Sequence, residues 1–193
     1  MPQSPTFARP LSRRTLLASL LAAGGTSLLP ASAQAALAVG ALAPDFTVDA
    51  ALGGQPFKFT LSQALKQGPV VLYFYPKAFT SGCTVEAHLF AEATPQFKAL
   101  GATVIGLSND TLETVKKFST EACRSAFAVG ADDGAKVIKA YDAGLMLIPG
   151  MADRVSFVIA PDRKILHVYS SLSPEGHITE TMKAVQAWRA AQR

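Results

Sequence analysis

The sequence predicts an α/β fold with a mixed central sheet and helices on both of its faces. The first observation is a continuous apolar, β-prone run at residues 70–75, which is typical of a strand buried on both faces. The second is the alternation of such runs with helical patterns, which forces parallel pairing through right-handed crossovers. The third is a late hairpin pattern at residues 155–170, which adds antiparallel strands to the same sheet.

The first half of the domain predicts a hairpin, the buried strand and a helix. Short strand-like segments at 45–49 and 56–60 flank the Gly53-Gly54 turn. A helical stretch follows the buried strand at about residues 82–93, and its apolar side chains continue at helical spacing to Leu100. We expect Thr94-Pro95 to cap or kink this helix, because proline fits a first turn but not an interior.

The second half predicts the rest of the sheet and its covering helices. Asp110 and Glu113 form a pattern like a capping box at the start of a helix that runs to about residue 122. The remaining expected elements are a strand at Thr103–Ser108, a strand at 126–129, a helix at 133–141, the hairpin strands 155–160 and 164–170, and a closing helix striped by Ile178, Met182, Val185 and Trp188.

The first 35 residues have the pattern of an export signal. Arg9, Arg13 and Arg14 precede an apolar stretch at 15–29 and then small residues suited to cleavage. The pair Arg13-Arg14 is similar to a twin-arginine address, although an ordinary secretory signal also fits, and the apolar stretch is too short to span a bilayer comfortably. We expect residues 1–35 to be cleaved and residues 36–193 to form a single domain in the bacterial periplasm, without a membrane anchor.

Charge and cysteine content exclude two classes of protein. Three of the 18 basic residues lie in the first 35 positions, so the other 15 nearly balance the 14 acidic residues, and the domain has no electrostatic footprint for nucleic acid. Only Cys83 and Cys123 are present, which is too few for a disulfide scaffold.

The chemistry is concentrated at Cys83. The buried strand leads into a tight loop at residues 76–82, which puts Cys83 in the first turn of the following helix. Unpaired backbone N–H groups and the helix dipole favour a thiolate there. Full ionisation of an ordinary thiol gains only about 30-fold at pH 7. A fast reaction therefore also needs fixed donors around the atom on which charge develops in the transition state, for which Thr80 and Arg154 are candidates.

The motif Pro76-x-x-x-Thr80-x-x-Cys83, with Arg154 before a β-prone run, resembles the active site of the peroxiredoxins. The string at 75–87 resembles the bacterioferritin-comigratory, or Q-type, branch. The resemblance implies a thioredoxin-like fold with a peroxiredoxin-type N-terminal hairpin. It also implies that Cys83 is the peroxidatic cysteine and that Pro76, Thr80 and Arg154 complete its site. Glu86, three residues after Cys83, is a candidate to orient Arg154.

The sequence departs from this branch at His88, where many members carry a second cysteine. A sulfenic acid at Cys83 must be captured by a thiol before it oxidises further. Cys123 is the internal candidate, in a helix where some Q-type relatives place their resolving cysteine. We therefore hypothesise a Cys83–Cys123 disulfide that requires local unwinding; one-cysteine behaviour and an inert Cys123 stay open.

The expected function is a thiol-dependent peroxidase, a thioredoxin-dependent peroxiredoxin of antioxidant defence, acting on hydrogen peroxide and organic hydroperoxides. The expected partners are the peroxide and a thioredoxin-like or other thiol reductant, and the expected state is a monomer. No cofactor or metal is expected, since His88, His167 and His177 lack ligand spacing. The alternatives are a dithiol oxidoreductase, which lacks its C-x-x-C pair, and a redox sensor or copper-handling protein without turnover.

Overall fold

The computed structural model describes residues 36–192, so the predictions for residues 1–35 lie outside the described residues. Within that range the strands are β1 (Thr47–Leu52), β2 (Gln55–Thr60), β3 (Val70–Phe74), β4 (Thr103–Ser108), β5 (Ala128–Ala131), β6 (Val155–Ile159) and β7 (Ile165–Ser170). The helices are α1 (Leu61–Ala64), α2 (Ser81–Ala99), α3 (Leu112–Glu121), α4 (Lys136–Ala140) and α5 (Pro174–Ala191).

The strands form one mixed sheet in the order β2-β1-β5-β4-β3-β6-β7. β3 and β5 each pair parallel with β4, as helical crossovers require. β6 pairs antiparallel with β3, β7 with β6, and β1 with both β5 and β2. The expected mixed sheet with an N-terminal hairpin is therefore confirmed, and β3 lies near its centre.

Each face of the sheet carries its own apolar cluster. One cluster contains side chains of α2, α3 and α5, and it includes both cysteines. The other lies on the opposite face and contains side chains of α1 and α4. All five residues of β3 are buried, because successive side chains alternate between these two clusters. Double-sided burial explains why the strand reads as an uninterrupted apolar run.

The expected break at Thr94-Pro95 is wrong. α2 continues through both residues to Ala99, with Pro95 inside the helix. The Thr94 hydroxyl donates to the carbonyl of Phe90 at 2.7 Å, and Thr94 and Phe97 are buried on either side of the proline. Packing of this face therefore outweighs the roughly 3 kcal/mol that proline costs in a helix interior.

The expected helix start at Asp110 is also wrong. Thr111 is the N-cap of α3, and its hydroxyl accepts from Thr114 N at 3.3 Å. The helix at 133–141 is shorter than expected, since α4 begins only at Lys136. Asp132 precedes it and accepts from the N–H groups of Val137 at 3.0 Å and Ile138 at 2.7 Å. In residues 36–192, no helix has the length and apolar character needed to cross a bilayer.

Candidate active site

Cys83 lies where the chain leaves β3 and enters α2. A short loop, residues 75–80, separates the two elements, and Cys83 is the third residue of the helix. Its side chain is buried, with only 1% of the residue exposed. The N–H groups of the first helical turn have no partner within the helix, and together with the dipole they favour an anion at this end. The fold thus puts the Cys83 sulfur at the end of the helix where negative charge is favoured.

Arg154 reaches this sulfur because of strand register. It immediately precedes β6, and β6 runs antiparallel to β3 with Val155 opposite Phe74. The guanidinium therefore arrives at the end of β3, where Nη2 donates to Cys83 Sγ at 3.4 Å. A Cβ atom at position 82 would lie 3.0 Å from Nη2, so Gly82 leaves room for this approach.

Glu86 holds the other side of the guanidinium. It follows Cys83 by three residues on α2, so both side chains lie on one helix face. Its Oε2 accepts from Arg154 Nη1, and the carboxyl group is fully buried. Burial raises the pKa of Glu86 to about 8, even though Arg154 acts in the opposite direction. One planar guanidinium thus contacts the sulfur and the carboxyl group together.

Thr80 and Pro76 belong to the loop before the helix. Thr80 occupies the N-cap position of α2, but its hydroxyl makes no capping bond and donates to the carbonyl of Lys77 at 3.0 Å. Pro76 is half-buried and lines a cavity of about 130 Å³ together with Ile148 and Met151. The threonine closes the loop on itself, and the proline borders a small cavity that is also lined by Lys77 and Asn109.

Asp110 fixes this loop to the sheet. Its Oδ2 accepts from the N–H of Ala78 at 2.8 Å and from Ser108 Oγ at 2.9 Å. Its Oδ1 pairs with Lys77 Nζ at 2.5 Å, while the side chain of Asp110 is 1% exposed. The residue that the sequence suggested as a helix cap is therefore a buried anchor of the Cys83 loop.

Phe79, in the loop before Cys83, has an unusual backbone. Its φ of 64° lies in the left-handed region, which is costly for a non-glycine residue. The ring packs edge-on against Phe118 of α3, with centroids 5.2 Å apart, and the residue remains 45% exposed. The aromatic contact links the outside of the loop to α3.

Cys123 lies just beyond α3 in the same apolar cluster as Cys83. It is fully buried, and its backbone N–H donates to the carbonyl of Phe118 at 3.0 Å. Both cysteines are free thiols. Burial raises the pKa of Cys123 far above the usual range for a thiol, which favours the neutral thiol over the thiolate in the conformation described.

His177 was considered from the sequence only as a metal ligand and set aside, yet it lies next to the Glu86–Arg154 pair. Its Nδ1 is 2.8 Å from Ser156 Oγ and 3.7 Å from Glu86 Oε1, and the side chain is fully buried. No local sequence pattern identifies it, because α5 and α2 meet only in the folded chain. His88, by contrast, is half-buried on α2 five residues after Cys83.

A family comparison decides the class of protein. Residues 39–168, which include the Cys83 loop, α2 and Arg154, match the model of the AhpC/TSA family. The chain belongs to the AhpC/TSA family. The peroxiredoxin resemblance of the Cys83 motif is thereby confirmed at the level of the family.

Individual AhpC/TSA relatives fall in the Q-type branch. The chain is 34% identical over 149 residues to the chloroplastic peroxiredoxin Q of Oryza sativa subsp. japonica, covering 77% of this chain and 66% of that protein. The match therefore spans slightly less than two thirds of the rice relative. A peroxiredoxin Q of Sedum lineare is 34% identical over 145 residues, covering 70% of this chain and 77% of its own length.

Solved structures of family members are similar over most of the domain. Peroxidoxin BcpB from Mycobacterium tuberculosis is 33% identical with a TM-score of 0.67, covering 77% of this chain and 96% of that structure. A cysteine-to-serine mutant of PrxQ from Xylella fastidiosa is 26% identical with a TM-score of 0.69, covering 80% of this chain and 98% of that structure. These likenesses agree with the thioredoxin-like fold of the family.

Proposed function

We propose that the protein is a thiol-dependent peroxidase in which Cys83 attacks the peroxide. The observation that carries the proposal is the guanidinium of Arg154, 3.4 Å from a buried sulfur in the first turn of a helix. The thiolate attacks one peroxide oxygen, a sulfur–oxygen bond forms and the O–O bond breaks. The second oxygen leaves with the bonding pair and takes up a proton, which gives water or an alcohol and a sulfenic acid at Cys83.

Arg154 is proposed to stabilise both the thiolate and the departing oxygen. A fixed charge aimed at the place where negative charge develops lowers the barrier without reorganisation. The Thr80 hydroxyl, next in the loop, is proposed to contact the bound peroxide, and Pro76 to exclude water. Glu86 is proposed to hold Arg154 in place through Oε2.

The sulfenic acid is proposed to be captured by Cys123. Attack of the Cys123 thiol on the Cys83 sulfur forms a disulfide and releases water, and a thioredoxin-like dithiol then reduces the bond by exchange. Cys123 is fully buried beyond α3 while Cys83 lies inside α2. Disulfide formation is therefore proposed to require local unwinding of α2 around Cys83, of the end of α3 before Cys123, or of both.

Two cysteine variants test this assignment. We expect Cys83→Ser to abolish peroxide consumption with a thiol reductant. Cys123→Ser should leave the first oxidation step intact and remove the intramolecular disulfide, which non-reducing mass spectrometry after one equivalent of peroxide detects. Turnover by folded Cys83→Ser would contradict the peroxidase assignment. A disulfide-free wild-type protein whose sulfenic acid is captured only by added thiol would instead indicate a one-cysteine enzyme.

We also propose that the protein is exported to the periplasm and that it is a monomer there. Support for export comes from residues 1–35, with their Arg13-Arg14 pair, apolar stretch and small residues. The branch that the Cys83 motif resembles favours the monomer. Cell fractionation of wild type and of a variant with both arginines changed to lysine tests the export route, because twin-arginine export requires the pair.

A further inference from the structure

His177 is a buried histidine next to the Glu86–Arg154 pair, and the proposed peroxidase mechanism gives it no role. His177 Nε2 is 2.9 Å from the carbonyl oxygen of Ser171, and since a carbonyl only accepts, Nε2 carries the hydrogen. In a neutral ring Nδ1 is then an acceptor, and Ser156 Oγ, 2.8 Å away, donates to it. The histidine therefore presents a lone pair towards α2.

Burial favours this neutral form of the ring. Desolvation lowers the pKa of His177, and the positive charge of Arg154 acts in the same direction, against the hydrogen bond to Ser171. Titratable or charged groups also approach the His177–Glu86 pair from α2, β3, the segment before β6, and β7: Cys83, Tyr73, Asp153, Arg154 and Tyr169.

Glu86 faces the imidazole with an oxygen that has no hydrogen-bond partner. Its Oε1 is buried and unpaired, 3.7 Å from His177 Nδ1, while Oε2 accepts from Arg154. An ionised Oε1 and the Nδ1 lone pair repel each other, whereas a proton on Oε1 turns the contact into an attraction. Burial raises the pKa of Glu86 to about 8, so the carboxyl group retains a proton near neutral pH.

We propose that His177 is a positioning residue of the Cys83 site, which accepts a hydrogen bond from protonated Glu86 Oε1 and so leaves the charge of Arg154 to the sulfur. The bond forms when the 3.7 Å gap closes by roughly 1 Å, and Nδ1 is then shared with Ser156. The inference rests on the proposed peroxidase function, because it concerns how the positive charge of Arg154 is made available to the reacting sulfur of Cys83.

The electrostatic consequence follows from the position of Arg154, which contacts Glu86 on one side and Cys83 on the other. An ionised Glu86 neutralises the guanidinium at close range in a buried site, where charges interact strongly. A protonated Glu86 still aligns Nη1 through Oε2 but leaves the net positive charge uncompensated on that side. Cys83 thiolate is then the direct counter-ion of Arg154 until it is oxidised to the neutral sulfenic acid.

The pH profile of peroxide reduction separates this role from simple packing. We expect the second-order rate constant of wild-type Cys83 with hydrogen peroxide to fall on the alkaline side as Glu86 loses its proton. His177→Gln keeps an N–H that can reach the Ser171 carbonyl, but its amide oxygen is then displaced from the position of Nδ1, so we expect this fall to move about one pH unit lower. At the wild-type midpoint the constant of the variant is then about fivefold below that of the wild type, and the difference approaches tenfold at higher pH.

The matched control is His167→Gln, which changes a half-buried histidine on neighbouring β7 and should follow the wild-type profile. A folded His177→Gln protein whose profile superimposes on wild type overturns the proposal. Should that variant fail to fold, infrared spectroscopy of the wild type decides. A carboxylic-acid C=O band at neutral pH that titrates on the alkaline side and disappears in Glu86→Gln supports it, and the absence of the band overturns it.

These outcomes are separable from the fate of the peroxidase assignment. Turnover that survives Cys83→Ser rejects the function, whatever the profile of the histidine variant. Turnover that depends on Cys83, combined with an unshifted His177→Gln profile, rejects only the role of the imidazole.

Discussion

Replacing Arg154 with lysine tests the geometry of the site without removing its charge. In the structure Nη2 donates to Cys83 Sγ at 3.4 Å while Nη1 holds Glu86, which one compact ammonium cannot do at both places. A hydrogen bond to a charged group contributes about 1.5–3 kcal/mol. If that bond is lost in the transition state, the rate constant falls about 10- to 150-fold. Arg154→Ala, which also removes the charge, should fall at least as far.

Stopped-flow oxidation of the reduced protein by excess hydrogen peroxide measures this constant directly. Arg124→Lys is the matched control, because Arg124 pairs with Glu92 at 3.0 Å on an exposed surface. Such exposed pairs contribute about 0–1 kcal/mol, so we expect a wild-type rate from the control. A wild-type rate constant from Arg154→Lys, with an unchanged circular dichroism spectrum, would refute the idea that the two-donor geometry of the guanidinium contributes to the rate.

Two further predictions concern the loop and the second thiol. Asp110→Ala leaves the Ala78 N–H without its 2.8 Å acceptor, so the free energy of unfolding in denaturant should fall by about 1–3 kcal/mol, whereas Lys77→Ala should cost less than about 1 kcal/mol. Equal losses in the two variants would contradict the anchor. Cys123 is fully buried, so it should resist alkylation in the reduced native protein and label after denaturation; rapid native labelling, mapped by mass spectrometry, would contradict this.

Local sequence was sufficient for the elements whose pattern and environment agree. The run at 70–75 predicted a central strand because double-sided burial demands apolar residues at every position, and β3 is buried throughout. The strand-to-helix junction was also predictable, because the apolar run ends at Pro76 and a helical pattern begins a few residues later, at about residue 82. The position of Arg154 beside the end of β3 followed from the topology that the family resemblance implied.

Contacts between distant segments could not be predicted in this way. Pro95 has the chemistry of a helix breaker, yet packing against the sheet and α5 keeps α2 continuous around it. Asp110 has the spacing of a helix cap, and only the fold reveals that the Ala78 N–H needs its carboxylate. His177 has no neighbouring motif, because its partner Glu86 comes from a different part of the chain.

The identity of the reacting sulfur is tested most directly by a single-equivalent oxidation. The reduced protein is treated with one equivalent of hydrogen peroxide in the presence of a sulfenic-acid trap, and its peptides are mapped by mass spectrometry. We expect the trap on Cys83, or a Cys83–Cys123 disulfide where capture is faster than trapping. Peroxide consumed while Cys83 remains an unmodified thiol would show that the buried sulfur beside Arg154 is not the nucleophile.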